Sequence, residues 1–226
     1  FRILDFADLT VDGSLATGGA VAVMLIQGGM HPALSLIFAF LAGMAAGFVT
    51  VFLHTALGIP GILASILTQI SLYSVNLGIM GKANQSMGIG QKGLVASARY
   101  VTSDNSYLFF IGLIVGCLVL VAIVYWLFGT ELGASIRATG CNPQMASAQG
   151  INTNFCKVIA LMISNGLVAL SGALLSQYQG FADVNMGRGA IVIGLAAVII
   201  GEVLFSKVFH NFGLKLLAVA IGAVLY

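Results

Sequence analysis

Apolar residues fill long stretches of this chain, and each stretch closes on a short cluster of glycine, proline or polar residues. The apolar runs cover residues 14–28, 32–57, 62–80, 106–128, 155–177, 190–205 and 212–226. They lack the two-residue alternation of a half-buried strand, and most approach the roughly 20 residues that a helix needs to cross a bilayer. The pattern predicts membrane helices rather than a β-barrel. Three runs deviate from a plain span. Residues 14–28 and 190–205 are short, as broken or re-entrant helices are, and 155–177 is interrupted by Ser164, Asn165 and Gly166. The 62–80 run is polar for a lipid-embedded segment, carrying Gln69 and Asn76 among serines and a threonine. In 32–57, Gly43 and Gly47 lie one helical turn apart, the spacing that lets two helices approach closely.

Composition turns this pattern into a class. Hydrophobic residues make up 59% of the chain and charged residues 7%, against about 25% charged in an ordinary soluble domain. So few charges cannot wet a globular surface, so the chain is read as a single integral membrane domain spanning 1–226. A net charge of +2 is too small to suggest nucleic acid as a partner. The three cysteines, Cys117, Cys141 and Cys156, show no metal or redox spacing. The sequence opens at Phe1 inside apparent structure, and the last run stops short. We expect a piece of a longer protein, truncated at both ends and lacking at least one upstream helix.

One stretch breaks the oily pattern. Residues 129–157 carry Glu131, Arg137, Asn142, Gln144, Gln149, Asn152, Asn154 and Lys157 between two apolar runs. The centre is punctuated as a very short helix. Asn142 can cap free N–H groups, Pro143 suits the first turn, and Gly150 can close the helix in the left-handed conformation. Two turns cannot hold alone in water, so this helix needs a surface to pack on. Basic residues leave its side of the membrane open: the loop with Lys82, Lys92 and Arg99 is at least as basic as the one with Arg137 and Lys157. Charge therefore leans against a cytosolic position for 129–157.

Residues 6–25 align without gaps on 181–200, with Phe-Ala-Asp opening both. Each copy sets an aspartate and a Gly-rich turn ahead of a short apolar run. Paired segments of this kind point to a transport site at the bilayer midplane, although so biased a composition also produces such matches by chance. Ser14 and Gly189 are candidate starts of intramembrane helices, whose free N–H groups and positive dipole ends favour anions. Asp12, Asp183 and Arg188 are then candidates for binding the ionic groups of a zwitterion, or are charges solvated at the interface. Asp5 and Asp8 are read as interfacial. Gln69, Asn76 and Asn165 either line a polar path or serve as interhelical hydrogen-bond glue, the commoner role. Glu202, an acid inside an apolar run, is a functional candidate or a helix-end ion pair. His31, His54 and His210 fall near run ends and show no ligand spacing. No nucleophile–base set, phosphate-binding glycine loop or metal cluster is legible, so the chemistry is recognition and passage, not bond breaking.

ILDFADLTVDGSLATGGAVA near the start and SIRATGCNPQMASAQGIN much later together resemble permease subunits of bacterial ABC importers, in the branch of ribose and branched-chain amino acid permeases. More narrowly they resemble an uncharacterised or aromatic amino acid group with a DLTVDGS-like segment. The likeness runs over nearly the whole chain. It implies an all-α, polytopic fold of the type II-like importer kind, with broken helices and a short cytosolic coupling helix, in the bacterial plasma membrane. It further implies a second permease copy, cytosolic ATPase subunits that hold the ATP and Mg, an extracytoplasmic solute-binding protein, and no cofactor on this chain. The coupling helix would fall on Gly140, Asn142, Pro143, Ala146 and Gly150, which puts 129–157 in the cytosol. The broken helix near the substrate path would fall on residues 8–19. The resulting candidates for that path are Asp12, Ser14, Gln69, Asn165, Asp183 and Arg188, and the solute would be a small amino acid of the aromatic kind. Two other classes compete. A secondary transporter would use Glu202 and Asp12 to couple to protons or sodium. An intramembrane enzyme lacks any visible catalytic set.

Overall fold

The structure is a computed structural model that describes residues 4, 6–88, 106–205 and 212–225. Lys92, Arg99, Asp5, His210 and the expected turn at 206–211 lie outside the described residues. The apolar runs all become helices, and the molecule is an all-α, polytopic membrane protein. Helix α1 is Val11–Gln27, α2 is Pro32–Ala56 and α3 is Gly61–Met80; α4 is Ser106–Gly129, and α5 is Glu131–Cys141. Then come α6 (Pro143–Ala148), α7 (Thr153–Gln179), α8 (Ala190–Phe205) and α9 (Phe212–Leu225). Strands β1 (Asn84–Ser86) and β2 (Phe181–Asp183) form a small antiparallel pair, with Gln85 opposite Ala182. Among the described residues, α2, α3 and α7 are long and apolar enough to cross a membrane by themselves.

Packing divides the chain into two compact units, Phe1–Tyr100 with Ser135–Arg188, and Val101–Ala134 with Gly189–Tyr226. In the first, α1, α2 and α7 form the centre, and α3 and the strand pair lie against α1. Its interior is made of small side chains. Ala20, Ala39, Ala169 and Ala173 are fully buried. A side chain on Gly18 would strike the backbone of Ala169, one on Gly172 the backbone of Leu15, and ones on Gly43 and Gly47 the backbone of Asn165 and Leu161. With no hydrophobic drive between helices in lipid, such close backbone approach supplies the packing. Large apolar side chains point outward instead, among them Ile37, Phe38, Leu41, Phe52, Ile62 and Ile70. In the second unit, α9 packs on α8 and touches α4, with Gly201 and Gly222 at the α8–α9 crossing.

The interruption expected at 164–166 does not occur, because α7 runs unbroken from Thr153 to Gln179. The Asn165 amide donates to the Leu161 carbonyl one turn back at 3.1 Å, and Gly166 makes room for Phe40 and Met44. Both residues that looked like breakers serve packing inside the helix. The two Phe-Ala-Asp segments also part company. Residues 6–9 are irregular and lead straight into α1, while 181–183 form β2 and are followed by turns before α8 starts at Ala190.

Candidate functional site

Helix α1 starts beside the middle of α7. The Ser14 hydroxyl donates to Asn165 Oδ1 at 2.6 Å, and Asn165 is near the midpoint of the 27-residue α7. This start is a polar cluster in an apolar bundle. Asn165 Nδ2 donates to Asp8 Oδ2 at 2.6 Å, and the Thr10 amide donates to Asp8 Oδ1 at 2.9 Å. The Thr10 and Thr50 hydroxyls meet at 2.8 Å, and Thr50 donates to the Ala46 carbonyl at 3.2 Å. Asp8 is thus no interfacial charge in water. It is half-buried and holds the entry to α1 in place. Ser14 lies within the first turn, its N–H bonded to the Thr10 carbonyl at 2.8 Å, so it is not an open helix end. Ser14 and Asn165 act as glue between α1 and α7.

On the other side of α1 from Ser14 the environment differs. A cavity of about 260 Å³ is lined by Asp12 and Gly13 of α1, by Gln69, Ile70, Tyr73 and Asn76 of α3, and by Val184 and Arg188 of the turn after β2. Gln69, Tyr73 and Asn76 form one stripe on α3, because residues four and seven apart share a helix face. Gly13 packs on Leu72 and lets α3 approach α1. The turn is brought in from the other side. Asp183 Oδ1 accepts from the Asn185 amide at 2.7 Å, and the amides of Met186 and Arg188 donate to Asp183 and Asn185 carbonyls. At Gly187 the turn comes so near α1 that a side chain would strike the Asp12 carbonyl.

The structure therefore gathers three of the six expected path residues, Asp12, Gln69 and Arg188, into one cavity. Ser14 and Asn165 belong to the saturated cluster beside it, and Asp183 shapes the turn without lining the cavity. Tyr73 is a lining residue that sequence reading missed, although its place between Gln69 and Asn76 on one stripe was available. Asn76 is fully buried, and both its amide atoms lack a hydrogen-bond partner; no other buried side-chain polar atom among the described residues does. Leaving such a group unsatisfied costs about 1–3 kcal/mol. The cavity can bind and orient a charged small molecule. Among the described residues no three His, Cys, Asp or Glu side chains gather to hold a metal.

The second candidate feature is α6. The Asn142 side chain accepts from the amides of Gln144 and Met145, both at 3.1 Å. Pro143 is its first residue, and Gly150 beyond it takes a φ of 84°. These are the local signals from which a helix over 143–149 was expected; it ends at Ala148, with Gln149 as its C-cap. Asn152 likewise caps α7 by accepting from the Phe155 amide at 3.1 Å. Ala146 alone of the α6 residues is buried, while Met145 is 61% exposed. Ala146 thus seats α6, and Gln144 and Met145 are presented outward. Gly140 is the penultimate residue of α5, which ends at Cys141.

The two histidines among the described residues have local roles. His31 caps α2 by accepting from the Ala33 amide at 3.2 Å. His54 Nδ1 meets the Ile59 carbonyl at 2.8 Å, and its ring stands edge-on to Phe6. Glu202 is half-buried in α8 and engaged in an interaction.

Comparison with known proteins adds the lineage. Residues 1–226 match the family described as branched-chain amino acid transport system / permease component. The chain is 37% identical over 226 residues to the tyrosine transport system permease protein of Clostridioides difficile (strain R20291), covering 100% of this chain and 73% of that protein. It is also 37% identical over 228 residues to the uncharacterized protein RP368 of Rickettsia prowazekii, covering 100% of this chain and 78% of that protein. The autoinducer 2 import system permease protein LsrC of Yersinia pseudotuberculosis is 30% identical over 195 residues, 84% of this chain and 53% of that protein. No solved structure matches.

Proposed function

We propose a function from one premise: this chain belongs to the family of branched-chain amino acid transport system permease components. It is a multi-pass inner-membrane permease of an ABC transport system for a small solute. Within that class, our reading is an importer of amino acids, with tyrosine-like solutes as first candidates. The cavity at the start of α1 carries this reading. It is lined by one acid, Asp12, and one base, Arg188, a pairing suited to the ammonium and carboxylate of a zwitterion. Support for the amino acid comes from the relative that is described as a tyrosine transport system permease. The chain performs no hydrolysis itself in this reading. Separate ATPase subunits hold ATP and Mg and press on α6, a binding protein delivers the solute, and a second permease copy completes the pathway.

The fold offers a route from α6 to the cavity. α6 packs against α7. Twelve residues along α7 from Thr153, a rise of about 18 Å, Asn165 grips both Ser14 and Asp8. A push on α6 would thus reach the start of α1, which is one wall of the cavity. The test is uptake into liposomes that contain the permease with its ATPase and binding protein. Tyrosine should enter only with ATP hydrolysis. Entry driven by an ion gradient without the ATPase would sink the reading. Met145→Asp, a change on the exposed side of α6, should lower ATP-driven uptake by about tenfold or more while leaving the unfolding temperature unchanged. Unaltered uptake would remove α6 from the coupling route.

A further inference from the structure

The asparagine at the cavity has both amide atoms buried and unmatched. Among the described residues, every other fully buried polar side chain in the same unit has found a partner. Gln177, as large and as buried, donates to the Pro32 carbonyl and to Ser35 Oγ, each at 3.1 Å. Thr68, two turns before Asn76 on α3, donates to the Ala64 carbonyl at 3.0 Å. A buried amide left over in a protein that otherwise satisfies its polar groups needs an explanation, and a bound group that the structure does not contain is one. Asn76 lines the cavity, so a partner that reaches its closed-over amide would do so from there.

We infer that Asn76 recognises a hydroxyl on the transported solute. The inference rests on the amino acid reading above and adds to it. Asp12 and Arg188 answer the ionic ends of a zwitterion, which leaves Asn76 to a neutral group. The side chain offers one acceptor, Oδ1, and donors on Nδ2. Both are unmet, so which atom is oxygen and which nitrogen does not affect the argument. The complement is a group that donates and accepts at once, and a hydroxyl is the smallest. A site built around a polar group discriminates strongly against the analogue that lacks it, because the site's own buried group is then unmatched. An apolar residue at 76 would remove that discrimination.

The experiment uses the complete transporter in liposomes, with one binding protein throughout so that its own selectivity cancels. Initial uptake of tyrosine and of phenylalanine, which differ by one hydroxyl, is measured for the unmodified permease and for Asn76→Leu. The ratio of tyrosine to phenylalanine uptake should fall by about tenfold, and the variant's unfolding temperature should rise because an unmatched amide has been removed. Asn76→Ala, which adds no bulk to the cavity, should show the same fall in ratio. An unchanged ratio with both solutes carried overturns the inference. If the unmodified complex carries neither solute, the amino acid reading fails first and the inference falls with it.

Discussion

Two polar regions adjoin the first turns of α1, and they are built on opposite principles. In one, Asp8, Thr10, Ser14, Thr50 and Asn165 answer each other until no side-chain group is left over. In the other, Asp12, Gln69, Tyr73, Asn76 and Arg188 surround a space, and at least one buried amide is unanswered. Both sit in surroundings where an unmatched polar group is costly. Every side-chain group of the first region has a protein partner, so its return is the position of α1. The unsaturated one keeps its capacity for something that comes and goes. Composition alone could not separate them, since each contains an aspartate and an asparagine.

The sharpest way to break this contrast is Asn165→Ala. The change removes the partner of the Ser14 hydroxyl and of the Asp8 carboxylate, and leaves both in an apolar bundle. We expect a loss of about 3 kcal/mol, read as a lower unfolding temperature of the purified permease. If stability is untouched and uptake disappears, Asn165 belongs to the path and the distinction between the regions fails.

Gly187→Val acts on the cavity from its other side. The added side chain meets the Asp12 carbonyl, so the turn that carries Arg188 must back away from α1. Overpacking of this kind costs about 1–2 kcal/mol, less than the loss at Asn165. Uptake should nonetheless fall about tenfold or more, because binding groups displaced by about 1 Å lose their aim. A variant with full uptake would show that Arg188 does not need its place beside Asp12.

What could be read in the sequence follows from how local each signal is. Helix positions were legible because a bilayer leaves a polar backbone few options, and the limits of α2, α3 and α4 fall within a residue of the apolar runs. The capped helix α6 was legible because Asn142, Pro143 and Gly150 act within a few positions. Asn165 was misjudged as a breaker, since nothing local shows that Ser14 and Asp8 wait across the bundle. Asp8 was misjudged as interfacial for the same reason. The strand pair escaped notice because each strand has three residues and its partner is far along the chain. Half of the expected path residues met in the cavity; Tyr73 and the unmatched state of Asn76 needed the packing of α3 on α1 to be seen.

The smallest expected effect tests the echo between the two Phe-Ala-Asp segments. Asp8 and Asp183 occupy equivalent positions in the alignment, yet Asp8 is locked by a side chain from another helix while Asp183 accepts mainly from a nearby amide of its own turn. Its other contact, to Asn84 Nδ2, is long at 3.4 Å. Asp183→Ala should therefore cost about 0.5–1 kcal/mol and change uptake by less than about twofold. The turn has further support from the pairing of β1 with β2 and from its own backbone bonds, so Arg188 should keep its place. A full loss of uptake with stability preserved would mean that Asp183 meets the solute outside the cavity described here. In that case the aspartates would share a function that their packing hides, and the line between a saturated scaffold and an unsaturated site would have to be redrawn to include the strand pair.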